Sequence, residues 1–222
     1  MRLEIAERLQ CPRAHAPTPL VVIAQRKDDR GILEGVAGCP VCRTEATITR
    51  AEIRFEGVAS VDSVSSDADS SRATADAAAR HHEATIDLDR LAALLGLAEP
   101  GGAVLLCGRY GAVAAALAAA CEVLVVITEP WPITSGDVVR AIAGDAICFT
   151  DGTFRAMALD TGRPPSFVQA ALRSAAAGAR VVGPAALDRP ADVKELARDE
   201  REWVGVMERT GPLVSLARSP GR

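Results

Sequence analysis

Aromatic side chains are scarce in this chain of 222 residues, since Phe, Trp and Tyr together make up 3% of it. Hydrophobic residues nevertheless amount to 49%, which is enough for a core of ordinary size. That core must consist mainly of Val, Leu, Ile and Ala, a composition typical of buried parallel strands covered by helices. The length fits one ordinary domain together with a smaller one.

The sequence also lacks a strong net charge and a convincing membrane span. A formal net charge of −4 indicates no general attraction to nucleic acids. The one candidate span, residues 112–127, is rich in Ala and contains Glu122, so we interpret it as a helix followed by a buried strand. No signal peptide is evident after Met1, and we expect a cytoplasmic protein without a membrane partner.

The six cysteines fall into two groups. One group lies in or beside apolar runs, where buried free thiols are common, and comprises Cys107, Cys121 and Cys148. The other group lies in a Pro-rich N-terminal region and comprises Cys11, Cys39 and Cys42. Because disulfides are rare in a reducing compartment, the second group indicates metal binding.

Cys39-Pro40-Val41-Cys42 is a CxxC knuckle, whose two thiolates can turn toward one tetrahedral ion. Cys11 and His15 supply a second pair, and the intervening chain is long enough for a hairpin that brings the pairs together. The prediction is a Cys₃His zinc site that organises a segment too small to hold a core alone. The alternatives are free thiols beside an unrelated histidine and, less favoured, a redox-active CxxC.

Three segments are predicted from the composition. Residues 1–56 form the zinc-binding unit, and residues 57–84 form a flexible linker rich in Ser, Asp and Ala, which holds His81-His82 as surface residues. Residues 85–222 alternate strands and helices, which predicts a mostly parallel sheet covered on both faces. Because of the linker, we expect the two units to unfold separately.

Within the last segment, apolar runs and the turn-forming residues that bound them predict individual helices and strands. Asp87 caps a helix that stops at Gly96. The predicted strands are Ala103–Cys107, Glu122–Ile127, Ala146–Phe149, Phe154–Leu159 and Gly178–Gly183. The further predicted helices are Gly136–Ile142, Pro165–Ala177 and Asp192–Arg201. An antiparallel hairpin is predicted to close the chain, from Trp203–Glu208 and Leu213–Ala217.

The N-terminal segment resembles the zinc ribbon of Trm112-like proteins, which also precedes some bacterial rRNA and quinone-pathway-type methyltransferases. The matching stretches are Leu9-Gln10-Cys11-Pro12, Pro19-Leu20, Gly31-Ile32-Leu33 and Cys39-Pro40-Val41-Cys42. The chain departs from that pattern at His15, which stands where the ribbon has a second cysteine. The resemblance implies one structural zinc ion.

Residues 85–222 resemble class I S-adenosylmethionine (SAM) methyltransferases of the ubiquinone/menaquinone-biosynthesis type. Val104–Gly111 matches the first strand and glycine loop, Gly144–Phe154 the approach to strand four, and Gly178–Val182 strand five. The resemblance implies a Rossmann-like three-layer sandwich. Its mostly parallel, seven-stranded sheet would end in an antiparallel hairpin.

The resemblance implies SAM as cofactor, held by Gly108, Tyr110, Gly111, Glu129 and Asp145. Several of these depart from the family pattern. Leu106 replaces an acidic residue, Tyr110 adds bulk at a glycine position, and Glu129 comes slightly late for the ribose. Pro164-Pro165 is interpreted as a helix start rather than a catalytic motif, and no catalytic residue is predicted.

The departures favour a non-catalytic or weakly active module that binds a protein or RNA partner, with the zinc ribbon as the binding part. The alternative is an active SAM-dependent methyltransferase acting on RNA or a small metabolite. A nicotinamide enzyme using Gly108 and Gly111 is disfavoured by the closing hairpin.

Overall fold

A computed structural model describes residues 1–56 and 86–208, and all its strands belong to one eleven-stranded sheet. The N-terminal part supplies helix α1 (Leu3–Ala6) and strands β1 (Val21–Asp28), β2 (Gly31–Gly38), β3 (Glu45–Thr49) and β4 (Glu52–Phe55). The predicted linker, including His81-His82, and the predicted strand Leu213–Ala217 lie outside the described residues.

Residues 86–208, the second described range, supply seven strands and three α-helices. The strands are β5 (Ala103–Leu106), β6 (Leu124–Ile127), β7 (Val138–Ile142), β8 (Phe154–Ala158), β9 (Ala175–Pro184), β10 (Val193–Arg198) and β11 (Glu202–Met207). The helices are α2 (Leu88–Leu94), α3 (Ala114–Cys121) and α4 (Pro165–Ser174), and a 3₁₀ helix covers Gly108–Val113. As predicted, the Asp87 side chain caps α2 by accepting from the Arg90 amide.

The strand order is β1-β2-β3-β4-β7-β6-β5-β8-β9-β11-β10. The six strands from β4 to β9 in this order are parallel, while β1 to β4 form an antiparallel meander and β11 runs antiparallel to β9 and β10. The fold is therefore mixed α/β with a partly parallel sheet. The N-terminal strands extend this sheet, because β4 pairs directly with β7.

Both faces of the central sheet are covered. Alternate residues of β5 point to opposite faces, so Leu105 packs in one core cluster with Phe167 of α4, and Leu106 packs in the other with Leu117 of α3. All four residues of β5 are buried. This burial explains why the sequence of β5 is continuously apolar rather than alternating.

Two predicted helices are wrong. Gly136–Ile142 contains strand β7, because β-branched Val138, Val139 and Ile142 suit a strand lying between two others. Asp192–Arg201 contains strand β10, although Lys, Glu, Leu and Ala favour a helix. Pairing with β11 overrides that preference, so the antiparallel hairpin observed is β10–β11, one element earlier than predicted.

Smaller differences concern element ends. The predicted strand Ala146–Phe149 is reduced to an isolated bridge between Phe149 and Leu9. Helix α4 ends at Ser174 rather than near Ala177, and β9 begins at once. Residues 112–127 divide into α3 and β6 as predicted. Among the described helices, none is long and apolar enough to cross a membrane.

Candidate functional site

The predicted metal ligands lie on two turns that the N-terminal strands bring together. Cys39 and Cys42 follow β2 in a tight turn, in which the Arg43 amide donates to the Cys39 carbonyl at 3.0 Å. Cys11 follows the short bridge between Gln10 and Pro19. The side chains of Cys11 and Cys39 are buried, while Cys42 is exposed.

The four ligand atoms of Cys11, His15, Cys39 and Cys42 all lie within 4.8 Å of one another. Sγ of Cys11 is 3.5 Å from Sγ of Cys42. Nε2 of His15 is 3.2 Å from Sγ of Cys11 and 3.5 Å from Sγ of Cys39. A tetrahedral zinc ion with ordinary bond lengths requires separations of about 3.6–3.8 Å. These three separations differ from that requirement by a few tenths of an ångström, so the cluster could hold a metal ion.

Outer contacts favour the same metal. Nδ1 of His15 lies 2.7 Å from the Ala16 carbonyl, to which it can donate, and this leaves Nε2 unprotonated and turned toward the sulfurs. The Thr44 hydroxyl lies 3.2 Å from Sγ of Cys42. Contact with Thr44 lowers the pKa of Cys42 to about 6, whereas burial raises the pKa of Cys11 to about 12. Cys42 is thus readily a thiolate, whereas Cys11 needs the ion in order to lose its proton.

Four of the predicted cofactor residues lie just after the carboxyl ends of parallel strands: Gly108 and Gly111 after β5, Glu129 after β6 and Asp145 after β7. The order of strands along the sheet reverses between β5 and β8. Such a position is the usual ligand crevice of an open parallel sheet. Gly108 follows β5 with φ +61°, a conformation that favours glycine. The Arg109 amide after it donates to Oδ2 of Asp160 at 2.8 Å. A Cβ on Gly108 would overlap this carboxylate, so Asp160 occupies that face of the glycine.

The face of Gly111 is covered as well. A Cβ on Gly111 would lie 2.7 Å from Nε1 of Trp131 and 3.1 Å from its Cγ. The Trp131 indole N–H donates to the Gly108 carbonyl at 2.8 Å. Trp131, from the loop between β6 and β7, therefore covers Gly111 with its ring and is hydrogen-bonded to Gly108.

Tyr110 occupies the core rather than the crevice. Its ring is fully buried with the cluster beneath α2 and α3, and its hydroxyl donates to Glu202 at 2.8 Å. Burial raises the pKa of Tyr110 above its ordinary value. The large Tyr110 side chain is thus accommodated below the glycine loop. The Trp131 side chain occupies the space above that loop.

Glu129 is held by an arginine. Its Oε1 accepts from Arg163 at 2.7 Å and from the Thr128 hydroxyl at 2.8 Å. Its Oε2 is buried and has no hydrogen-bond partner among the described residues. Asp145 is mostly exposed and lies 3.6 Å from Nη1 of the same arginine. Two of the predicted cofactor residues therefore meet at Arg163.

Sequence reasoning missed Trp131, Asp160 and Arg163, which fill this crevice. Each comes from a loop after β6 or β8, and no local spacing relates them to the glycines. The one available signal was their position directly after buried strands, where polar residues line the ligand edge of such a sheet.

Comparisons with known proteins give little for this chain. No family model matches it, and no curated protein matches it. Among solved structures, one match is the antibiotic-resistance methyltransferase Kmr, at 12% identity and a TM-score of 0.39. The match covers 56% of the present chain and 94% of that chain. A likeness of this size implies neither an activity nor a ligand here.

Proposed function

We propose that the chain is a methyltransferase-like protein that turns over SAM slowly or not at all, and that it acts as a metal-stabilised module binding a partner. One observation carries this proposal: Trp131 and Asp160 of the chain itself cover the two glycines against which a cofactor would lie. Glycines allow close approach only when the space beside them is open.

The element order supports the methyltransferase-like part. The family resemblance expects a first strand followed by a glycine loop, and β5 with its loop lies at that position. Strands β6, β8 and β9 lie at the positions expected for strands two, four and five. Within residues 86–208, β10 and β11 form an antiparallel hairpin at the edge of the sheet. Helices cover both faces, as in the three-layer sandwich that the resemblance implies.

The surface beside the metal centre supports a protein partner over RNA. Val21, Ile23 and Val41 are all more than half exposed, and Val21 pairs with Gly38 just before the Cys39 knuckle. Exposed aliphatic side chains on an edge strand suit a protein surface or an added strand. Capture of RNA rather than protein by the purified chain would contradict this choice.

A second function, an active SAM-dependent methyltransferase, is favoured by one specific feature. The buried Oε2 of Glu129 lacks a partner in the described part of the chain, and a ligand hydroxyl would satisfy it. Loss of such a contact typically costs about 1–3 kcal/mol, or roughly one to two decades in affinity.

Calorimetry with S-adenosylhomocysteine distinguishes the two functions. The wild type should show no low-micromolar binding. If it does bind in that range, and Glu129→Gln weakens binding tenfold or more, the active enzyme replaces the proposed module. Glu99→Gln is the matched control, because Glu99 precedes β5 at the opposite end of the strand.

A further inference from the structure

Resting on the proposed function, we propose that Trp131 is a removable internal plug, whose indole keeps a nucleoside-type ligand off Gly111. The proposal deepens the account of that site, because it assigns the closure at Gly111 to one side chain rather than to the loss of ligand-binding groups.

The contacts of Trp131 resemble those of a bound aromatic ligand. Its ring rests on Gly111, and its N–H donates to a main-chain carbonyl of the glycine loop at 2.8 Å. An adenine ring with its amino group offers a planar surface and an N–H donor of the same kind. The indole therefore takes both the volume and the acceptor that such a ligand would use.

Trp131 differs from the other tryptophan of the chain in how it is held. Trp203 is fully buried in the core, and its indole donates to the Leu187 carbonyl. Trp131 is only partly buried and lies on residues 128–137, a segment without a helix or strand. Its release would break the indole hydrogen bond to Gly108 and remove the ring from the edge of the second core cluster, against which it packs.

Two acceptors at this edge of the sheet remain able to bind a ligand. Removal of the indole would free the Gly108 carbonyl, and Oε2 of Glu129 already has no partner within the described residues. A ligand that carries an amino group and sugar hydroxyls supplies donors for both. Buried acceptors without donors are costly, so an open crevice favours such a ligand.

Competition with the plug sets the expected size of the effect. A side chain tethered beside its site acts at an effective concentration near the millimolar range, as in other intramolecular binding. A free ligand binds only to the fraction of molecules in which the indole has left, and its apparent affinity falls by that fraction. We expect Trp131→Ala to bind S-adenosylhomocysteine at least tenfold more tightly than the wild type.

The experiment is calorimetric titration of the full chain with S-adenosylhomocysteine, using Ile133→Ala as the control. Ile133 lies on the same loop and packs against the same core, so its truncation loosens the loop without removing the plug. Emission of the buried Trp203 confirms folding of each variant. Should the Ala variant fail to fold, Trp131→Leu, which keeps an apolar side chain but no ring, should bind at least threefold more tightly.

Equal affinity of the wild type and the folded Trp131 variants would overturn the plug. An equal gain in Ile133→Ala would also overturn it, because loop loosening would then explain the effect. The proposed function is judged separately, on the wild type alone. Tight binding by the wild type contradicts the proposed function. An affinity of the Trp131 variants equal to that of the wild type contradicts the plug.

Discussion

The parts of the sheet before residue 57 and after residue 86 are stabilised differently. Four of the five large hydrophobic side chains that are exposed among the described residues lie in the first part, namely Leu3, Val21, Ile23 and Val41. In the second part, every residue of β5 and nearly every residue of β6 is buried. The buried residues of the first part share one core cluster with the second part, while the second part also has an aliphatic core of its own. We expect a metal to add to the stability of the first part.

The two parts are joined by direct contacts and are therefore not independent. The β4–β7 pairing joins them, the Gln10 amide donates to the Cys148 carbonyl, and Arg140 donates to Glu52 across the junction. Separate unfolding was the expectation from the sequence. The continuous sheet instead predicts that damage to the metal centre reaches the second part.

Loss of the metal should have the largest effect. Structural zinc contributes about 10–16 kcal/mol of binding free energy in small zinc-binding peptides. We expect about one zinc per chain in the wild type, none in Cys42→Ser, and a large fall in the unfolding midpoint of that variant. Elemental analysis and thermal unfolding measure both quantities.

Cys121→Ser is the control for this prediction, because Cys121 lies on α3, away from the cluster. It should retain its zinc and its midpoint. Full zinc content after loss of both Cys39 and Cys42 would show that the metal binds elsewhere.

The junction should be the next most sensitive place. Ile53 of β4 is fully buried and pairs with Ala141 of β7, so Ile53→Ala should cost about 2–5 kcal/mol. Both tryptophans lie after residue 86, and their emission therefore reports the second part. We expect metal release and tryptophan emission to shift together in denaturant. Ile23→Ala, at an exposed position of β1, should shift neither signal. Two separate unfolding transitions would contradict the coupling between the two parts.

Packing density should differ between the parts. Gly183 of β9 lies against Trp203, and an added Cβ would be 2.6 Å from its Cε2, so Gly183→Ala should cost about 1–3 kcal/mol by overpacking. Gly38 of β2 has nothing within 4 Å of such a Cβ, so Gly38→Ala should be nearly neutral. Equal effects in chemical denaturation would show that the two parts are equally tightly packed.

The smallest effect concerns the charged edge of the sheet. Backbone amides of Glu202 and Arg201, together with Arg90, lower the pKa of Asp199 to about 2. A lowered pKa stabilises the folded state above the unfolded value of about 4, and this stabilisation is lost as the pH falls through about 2. Asp199→Asn should therefore lower the thermal midpoint more at pH ~7 than at pH ~3. Asp192→Asn is the control, and a pH-independent difference would contradict the prediction.

The sequence predicts features that depend on neighbouring residues. The strands β5, β6, β8 and β9 coincide with apolar runs, and Asp87 caps α2 as its spacing indicates. The Cys and His ligands meet because hairpin geometry carries the CxxC knuckle back to the first pair. The zinc ion itself and the domain boundaries stay predictions.

Features that depend on distant residues were missed. Strand β10 has a helix-forming sequence and becomes a strand only through β11. The closure of the crevice depends on Trp131, which comes 20 residues after Gly111 and meets it only because β5 and β6 are parallel neighbours. No periodicity within a short window carries that information.

The β4–β7 pairing has a consequence for biosynthesis. Glu52 and Arg140 are 88 positions apart, so the ribosome completes the first four strands well before the strand against which they dock exists. At 5–20 residues per second, the delay is roughly 4–18 s. During that time the nascent meander has no parallel neighbour, and metal capture is what can hold its two turns together. The availability of zinc during translation should therefore determine how much of the chain escapes aggregation.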